Sequence, residues 1–155
     1  MWNKDKSIVL SITVCFIFLS LLSIGLFLGP WVANLWFDVY RGFDPNLAAI
    51  KRLLTIFVCS FYPCAVFGYI TLYSLIRLLF NIRQKNIFIN KNVVYLRRIS
   101  WCCFAVSLIT LIAGVFYIPY CFISVAAAFI GLMLRVVKNV MQNAVEIKTE
   151  NELTI

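Results

Sequence analysis

Histidine is absent from this 155-residue sequence, and acidic residues number only six. Without imidazole, the chain offers no histidine base for catalysis and no histidine ligand for zinc or haem. It also has no glycine-rich phosphate-binding motif, and its long apolar stretches contain no aspartate or glutamate. Coupled transporters ordinarily need an ionisable group inside the membrane, so proton- or sodium-coupled transport is disfavoured. We therefore predict no catalytic residue, no metal site and no cofactor.

The six cysteines do not form a recognisable redox motif. No Cys-x-x-Cys pair occurs, and only Cys121 lies near an expected external turn. A quinone-linked thiol oxidase would use paired cysteines in external loops. Cysteine also serves as a small apolar residue in packed helices. We interpret these cysteines as packing residues, and a thiol-redox membrane enzyme is the least favoured of three function classes.

Apolar sequence is what the chain has in abundance, at 63% hydrophobic and 13% charged residues. Soluble domains are nearer half apolar and one quarter charged, and this length corresponds to one domain. Since one water-soluble core cannot cover so much apolar surface, the bilayer must be the solvent for much of the chain. The prediction is an all-α polytopic integral membrane protein, a single domain over residues 1–155 with four transmembrane helices in a bundle. The predicted spans are residues 8–28, 53–75, 99–117 and 121–141.

Prolines and glycines mark the expected limits of these helices. The Gly29-Pro30 pair predicts the end of the first helix, followed by an external connector over residues 30–52. Aromatic residues in this connector suit the membrane interface. Within it, Asp44 and Pro45 predict the start of the next helix, as N-cap and first helical residue.

Further along, Pro63 predicts a kink in the second span, and Pro119 predicts the start of the fourth helix after a short uncharged turn. Small residues spaced four apart, such as Gly25 and Gly29, predict faces on which helices pack closely. We interpret this spacing as packing rather than as evidence of a dimer. A comparable face is expected on the fourth helix, at Ser124, Ala127, Ala128 and Gly131.

Positive charge is concentrated on one side of this four-span map. The N-terminus, the loop at residues 77–98 and the C-terminal part carry eleven Lys or Arg, whereas the connector at residues 30–52 carries three. Because Lys and Arg accumulate in cytoplasmic segments, both termini and the middle loop are predicted to be cytoplasmic. The net charge of +8 therefore indicates orientation rather than direct nucleic-acid binding.

The longest polar interruption, NIRQKNIFINKNVVYLRRIS at residues 81–100, is basic throughout and has no acidic residue. Asn90 is expected to cap the third helix, and Phe88 to pack just before it as a hydrophobic staple does. Together with Leu96 and Ile99, these residues predict a middle loop docked on the ends of the spans.

Arg97 and Arg98, with Lys91, are candidates for contact with anionic lipid headgroups or with the acidic C-terminal tail. Anchoring of the cytoplasmic side by positive charge is the simpler alternative. The acidic tail is a candidate contact for a protein partner. The candidate contact residues are Phe88, Asn90, Arg97, Arg98, Glu150 and Glu152.

The motif NIFINKNVVYLRRIS resembles a signature of the YoaS-like family of bacterial four-helix membrane proteins, which is defined only as a domain of unknown function. The closing TENELTI is similar to that family's acidic C-terminal end, so the resemblance covers the whole chain. Two positions depart from the family pattern, since Lys91 stands where an acidic residue is expected and Glu152 where aspartate is frequent. Family members are often encoded beside a small helix-turn-helix regulator, so the resemblance implies a regulatory pairing but no chemistry.

Two function classes thus stay open ahead of the thiol enzyme. The first is a non-enzymatic sensor, immunity or regulatory protein that binds a protein partner at the cytoplasmic face. The second is a small channel or exporter that acts as an oligomer. The expected surroundings in both cases are the lipid bilayer and anionic headgroups, and the sequence does not specify an oligomeric state.

Overall fold

The computed structural model describes residues 4–41 and 47–153. Four helices account for nearly all of them, and each is long and apolar enough to cross a membrane. The predicted all-α fold and the number of spanning helices are confirmed. The helices are α1 (Lys4–Arg41), α2 (Leu47–Arg83), α3 (Asn90–Gly114) and α4 (Pro119–Leu153).

Three of these helices are longer than a bilayer requires. Helices α1, α2 and α4 have 38, 37 and 35 residues. At ~1.5 Å per residue they measure roughly 52–57 Å, against a hydrocarbon core of ~30 Å. Helix α3, with 25 residues, comes much closer to that thickness. The polar C-terminal part of α4 is therefore a helical extension beyond the apolar span.

The first helix does not end at Pro30, which corrects the prediction from the Gly29-Pro30 pair. Helix α1 continues through this proline to Arg41, and α2 begins at Leu47, so most of the expected connector is helical. A proline removes one backbone hydrogen bond, whereas ending the helix in lipid would leave several polar groups without partners. The helix start expected at Asp44 and Pro45 lies outside the described residues.

The opposite turn agrees with the prediction. Helix α3 ends at Gly114 and α4 begins at Pro119. In the turn between them, the amide of Tyr117 donates to the carbonyl of Ala113 at 3.1 Å. In α2, the internal proline Pro63 does not end the helix, which continues to Arg83. The kink expected at this proline remains a prediction.

The helices pack in the order of the chain. Contacts join α1 to α2, α2 to α3 and α3 to α4, and no other helix pair is in contact among the described residues. The four helices therefore form an open row, in which each helix packs against its neighbours in the sequence. Since lipid tails are as apolar as leucine, the helix faces left uncovered need no protein neighbour. Phe27, 87% exposed, lies on such a face.

The contacts between α1 and α2 include a glycine against an aromatic ring and a pair of hydroxyl groups. A Cβ atom added at Gly29 would lie 3.2 Å from the ring of Phe61, so the paired glycines of α1 serve packing within the chain, as predicted. The hydroxyls of Ser23 and Tyr69 are 2.7 Å apart and form the cross-helix hydrogen bond of this pair.

Hydroxyl groups cross between α3 and α4 at two levels, a region we call the α3–α4 seam. Ser107 and Ser124 each donate a hydrogen bond to the other's carbonyl oxygen, at 2.9 and 2.8 Å. One level away, the hydroxyl of Ser100 donates to the carbonyl of Gly131 at 2.8 Å. A Cβ at Gly131 would lie 3.4 Å from the Ser100 carbonyl oxygen, so the backbones approach closely here. The predicted small face of α4 is thus confirmed at Ser124 and Gly131, which are buried.

Candidate functional site

Helix α2 ends with a residue in the left-handed region. Lys85 has a φ of 63°, and its amide donates to the carbonyl of Ile82 at 3.0 Å. The amide of Asn86 donates to the carbonyl of Asn81 at 3.0 Å. These two bonds form a Schellman motif, in which glycine usually occupies the left-handed position. Because Lys85 carries a Cβ, the backbone is mildly strained at this point.

The side chain of Asn92 ties the loop at residues 84–89 to both helices. It is completely buried, at 0% exposure. Its Nδ2 donates to the carbonyls of Asn86 and Ile87 at 2.9 and 2.8 Å, and its Oδ1 accepts from Nδ2 of Asn81 at 2.7 Å. We call the Asn81 and Asn92 side chains, with these two carbonyls, the asparagine clamp. A buried amide whose donors and acceptor are all satisfied favours one loop geometry over others.

The expected cap at Asn90 is wrong. Ile89 occupies the N-cap position, with extended backbone angles and no side-chain hydrogen bond, and Asn90 is the first helical residue. The Asn90 side chain is exposed. Asn92, two positions later, holds the loop because its position in α3 faces α2 rather than the surrounding medium.

The predicted docking set divides into buried and exposed members. Leu96 and Ile99 are buried, at 5% and 4% exposure, as the docking hypothesis requires. Phe88 is 46% exposed and the preceding Ile87 is 39% exposed. Phe88 was expected to pack against the helix ends, and this exposure shows that it does not. The carbonyl of Ile87 is held by the clamp, and this orients the neighbouring side chains outward. We call Ile87 and Phe88 the loop tip.

A cavity of about 220 Å³ opens between α3 and α4 on the side of the α2–α3 loop. The guanidinium carbon of Arg135 lies 5.7 Å from the ring centre of Trp101, a distance typical of a cation–π contact. The hydrogen bond from Ser100 to Gly131 fixes the separation of the two helices beside it. We call this cavity the basic pocket. It is lined by Arg97, Ser100 and Trp101 of α3 and by Arg135 and Lys138 of α4.

The predicted pairing of Arg97 and Arg98 with the acidic tail is not present among the described side chains. Arg97 instead faces the basic pocket with two other cations, while Arg98 is exposed outside it. Glu146 accepts a hydrogen bond from Gln142, one turn earlier on the same helix, at 3.1 Å. Because α4 stays helical to Leu153, the acidic residues follow the helix and do not fold back onto α3.

The remaining tail candidates lie near the end of α4. Glu150 is exposed and takes part in an interaction there. The side chain of Glu152 lies outside the described part of the chain, as does Thr154. Their role as partner contacts remains a prediction.

Residues 41–155, which include both the asparagine clamp and the basic pocket, match the family described as "Protein of unknown function (DUF2975)". The chain belongs to the DUF2975 family. It is also 30% identical over 167 aligned positions to the "Uncharacterized membrane protein YoaS" of Bacillus subtilis (strain 168), covering 99% of each chain. No solved structure matches it. The resemblance based on the motif at residues 86–100 is confirmed, and this DUF2975 protein is a membrane protein of a family whose function is unknown.

The cysteines of this DUF2975 protein are spread over all four helices and none forms a disulfide. Cys15 and Cys102 are buried. The Cβ of Cys103 lies 3.3 Å from the position of an added Cβ at Gly131, so this cysteine takes part in the close approach of α3 and α4. Within residues 4–41 and 47–153, no cluster of three metal-ligating side chains occurs.

Asn92 and the α4 wall of the basic pocket are absent from the residues predicted by sequence. A signal for Asn92 was present, since it lies four and seven residues before Leu96 and Ile99, on the apolar face of α3. A polar residue on such a face must find a hydrogen-bond partner inside. Arg97 and Trp101 lie on one face of α3 because they are four residues apart. Which residues of α4 face them in the pocket depends on the register between α3 and α4.

Proposed function

We propose that this protein is a non-enzymatic regulatory membrane protein that binds a cytosolic protein partner through the α2–α3 loop. The observation that supports this is the loop tip, where Ile87 and Phe88 are 39% and 46% exposed on a loop fixed by the asparagine clamp. Exposed apolar residues on an ordered polar loop are typical of interaction sites. A loop that is already ordered loses less conformational entropy on binding.

Charge around the loop tip indicates the kind of partner. Arg83, Lys85 and Lys91 are exposed near it, and residues 77–98 contain no acidic residue. The left-handed position at the end of α2 is occupied by Lys85, although glycine there would relieve the backbone strain. An acidic partner surface with an apolar centre would complement this arrangement and speed the encounter. The small helix-turn-helix regulator implied by the family resemblance is the first partner to test.

The proposal places the loop and both termini in the cytoplasm and the helices in the bacterial cell membrane. It is supported by the ratio of eleven basic residues to three on the two sides of the four-span map. Exposed cations at the start of α3, among them Lys91 and Arg98, would lie against anionic headgroups of the inner leaflet. Glu150 and Glu152, near the end of α4, are second contact candidates for the same partner.

The experiment is binding of the full-length protein, in lipid nanodiscs, to a purified small helix-turn-helix regulator of the kind that the family resemblance implies. Phe88→Ala should weaken binding about tenfold if Phe88 is one of the few central residues that dominate an interface, since truncating such a residue costs more than about 1 kcal/mol. The matched control is Phe116→Ala, which removes a 59% exposed phenylalanine at the opposite turn. Equal affinities for the two variants, or no binding by the unaltered protein, would contradict the proposal.

A small oligomeric channel or exporter is the second candidate. The open row of helices, in which each packs only against its sequence neighbours among the described residues, favours it. Because α1 and α4 do not contact each other in the described residues, further copies could complete a ring. Thr13 and Ser20 are exposed on α1 and would supply hydroxyls to a pore, although each now bonds to a carbonyl of its own helix. Ion or solute flux from proteoliposomes that falls in a Thr13→Leu variant would support this function. Flux equal to that of empty liposomes would eliminate it.

A further inference from the structure

We propose that the basic pocket binds a phosphate-bearing group, supplied by the headgroup of an anionic phospholipid. This site lies between α3 and α4, whereas the loop tip lies between α2 and α3, and neither proposal depends on the other. Three cations and a tryptophan from two helices form its walls.

Among the side chains that the structure describes, no acidic group of the pocket wall balances the pocket's positive charge. Arg97, Arg135 and Lys138 face one cavity of about 220 Å³, and no acidic residue of the described chain lines it. The Nζ of Lys138 donates a hydrogen bond to Oδ1 of Asn139 at 3.1 Å, and this partner is neutral. Like charges that line one cavity repel one another, and a bound anion relieves that repulsion. Guanidinium groups suit phosphate oxygens because they donate two parallel hydrogen bonds.

The walls of the pocket are arranged before any ligand binds. Trp101 contacts the Arg135 guanidinium across the helix pair, with 5.7 Å between the guanidinium carbon and the ring centre. The Ser100 hydroxyl and the Gly131 carbonyl, 2.8 Å apart, hold the backbones together at the same level. Since little side-chain freedom remains to be lost at Arg135, binding an anion there involves a smaller entropic penalty.

The surroundings favour a lipid over a soluble phosphate. Trp101 is 60% exposed, and tryptophan is enriched at the level of lipid headgroups. One to two helical turns toward the membrane, Leu108 of α3 and Leu132 of α4 are 60% and 53% exposed. A headgroup in the pocket would therefore have its acyl chains on apolar helix surface. Basic pockets between spanning helices are known to take acidic lipid headgroups.

The experiment measures lipid retention by the purified full-length protein, using native mass spectrometry from mixed phosphatidylglycerol and phosphatidylcholine micelles. The unaltered protein should retain phosphatidylglycerol in preference to phosphatidylcholine. The Arg135→Gln and Lys138→Gln variants should each reduce that retention about tenfold, because hydrogen bonds to charged groups are the strong ones. The matched control is Arg52→Gln, which removes one exposed positive charge from α2, at the end of that helix opposite the α2–α3 loop.

Folding is checked separately, through the helical circular dichroism signal and a monodisperse elution profile. Arg135→Lys, which keeps the charge, should recover part of the retention if Arg135→Gln has removed a binding group rather than damaged the fold. Equal retention by Arg135→Gln and Arg52→Gln would overturn the site, and so would equal retention of the two lipids. Stabilisation by inorganic phosphate alone in phosphatidylcholine nanodiscs, abolished by Arg135→Gln, would overturn the lipid source.

Discussion

The two connections at the ends of α3 are stabilised in different ways. The α2–α3 loop is held by side-chain amides, with Asn92 reaching the loop carbonyls and Asn81. The α3–α4 turn has only backbone hydrogen bonds, and beside it Gly114 lies directly against Cys121. A side-chain clamp thus supports the connection that presents charged and apolar residues, whereas close backbone approach is enough where the chain only reverses.

Removing the clamp should have the largest effect. Asn92→Leu leaves the Asn81 amide and two loop carbonyls without their partner, and each unsatisfied buried group costs about 1–3 kcal/mol. We expect a loss of about 2–4 kcal/mol in the free energy of unfolding. The loss is smaller than the sum over the three groups, because the loop is exposed and its carbonyls can bond to water instead. Unfolding in mixed dodecyl sulfate micelles measures it. The control is Asn90→Ala, which should change the free energy by less than about 0.5 kcal/mol, because the side chain makes no cap. A larger loss at Asn90 than at Asn92 would contradict the assignment of the clamp.

Crowding the opposite turn should have the next largest effect. A Cβ at Gly114 would lie 2.6 Å from Sγ of Cys121 and 3.2 Å from its backbone nitrogen. Gly114→Val should therefore destabilise the protein by about 1–3 kcal/mol through overpacking. Gly25→Ala is the control, since its Cβ would lie 3.9 Å from Phe61, an ordinary contact. Equal stability of the two variants in the same micelle assay would show that the turn tolerates wider spacing.

Hydroxyl removal in the α3–α4 seam should have a smaller effect. Ser124→Ala removes the donor that reaches the Ser107 carbonyl at 2.8 Å. Interhelical hydrogen bonds in membranes contribute about 0.6 kcal/mol on average and up to about 1.7 kcal/mol. Ser20→Ala serves as the comparison, because that hydroxyl bonds to the Phe16 carbonyl of its own helix. If both changes have the same effect, the seam is held by packing alone.

A change of similar size is predicted with the opposite sign. Lys85→Gly should stabilise the α2–α3 connection by about 1 kcal/mol, because it removes the Cβ from a left-handed residue. Lys85→Ala removes the same charge but keeps a Cβ, so it should give no gain. If the loop binds an acidic partner, both variants should weaken that binding although only one of them is more stable. A stabilising effect of Lys85→Ala would assign the gain to charge rather than to backbone strain.

The sequence predicted the helices well, and their packing partners less well. Hydrophobic run length identified four spanning helices, and Pro119 marked the start of α4 correctly. Pro30 was misread because a proline in an apolar helix of a membrane protein can be accommodated, whereas in water it more often ends the helix. The length of a hydrophobic run does not specify which helices contact each other, so it cannot distinguish an open row of helices from a closed bundle.

The site residues show the same limit. The capping rule considers the residues at a helix start, and it selected Asn90, whereas Asn92 bonds to carbonyls five and six residues earlier in the loop. Arg97 was a candidate, but which residues line the basic pocket with it depends on the register of α3 against α4. That register is set by contacts such as Ser100 with Gly131, which no local pattern of residues specifies.

The open row of helices also bears on how the chain enters the membrane. Each helix packs only against the one made just before or just after it, among the residues described. A chain emerging from the ribosome N-terminus first can therefore dock every new helix on a partner already inserted. Contacts between sequence neighbours are the ones that form fastest, since little loop entropy is lost in making them. Insertion can thus proceed one helix at a time, without an intermediate that must wait for a distant partner.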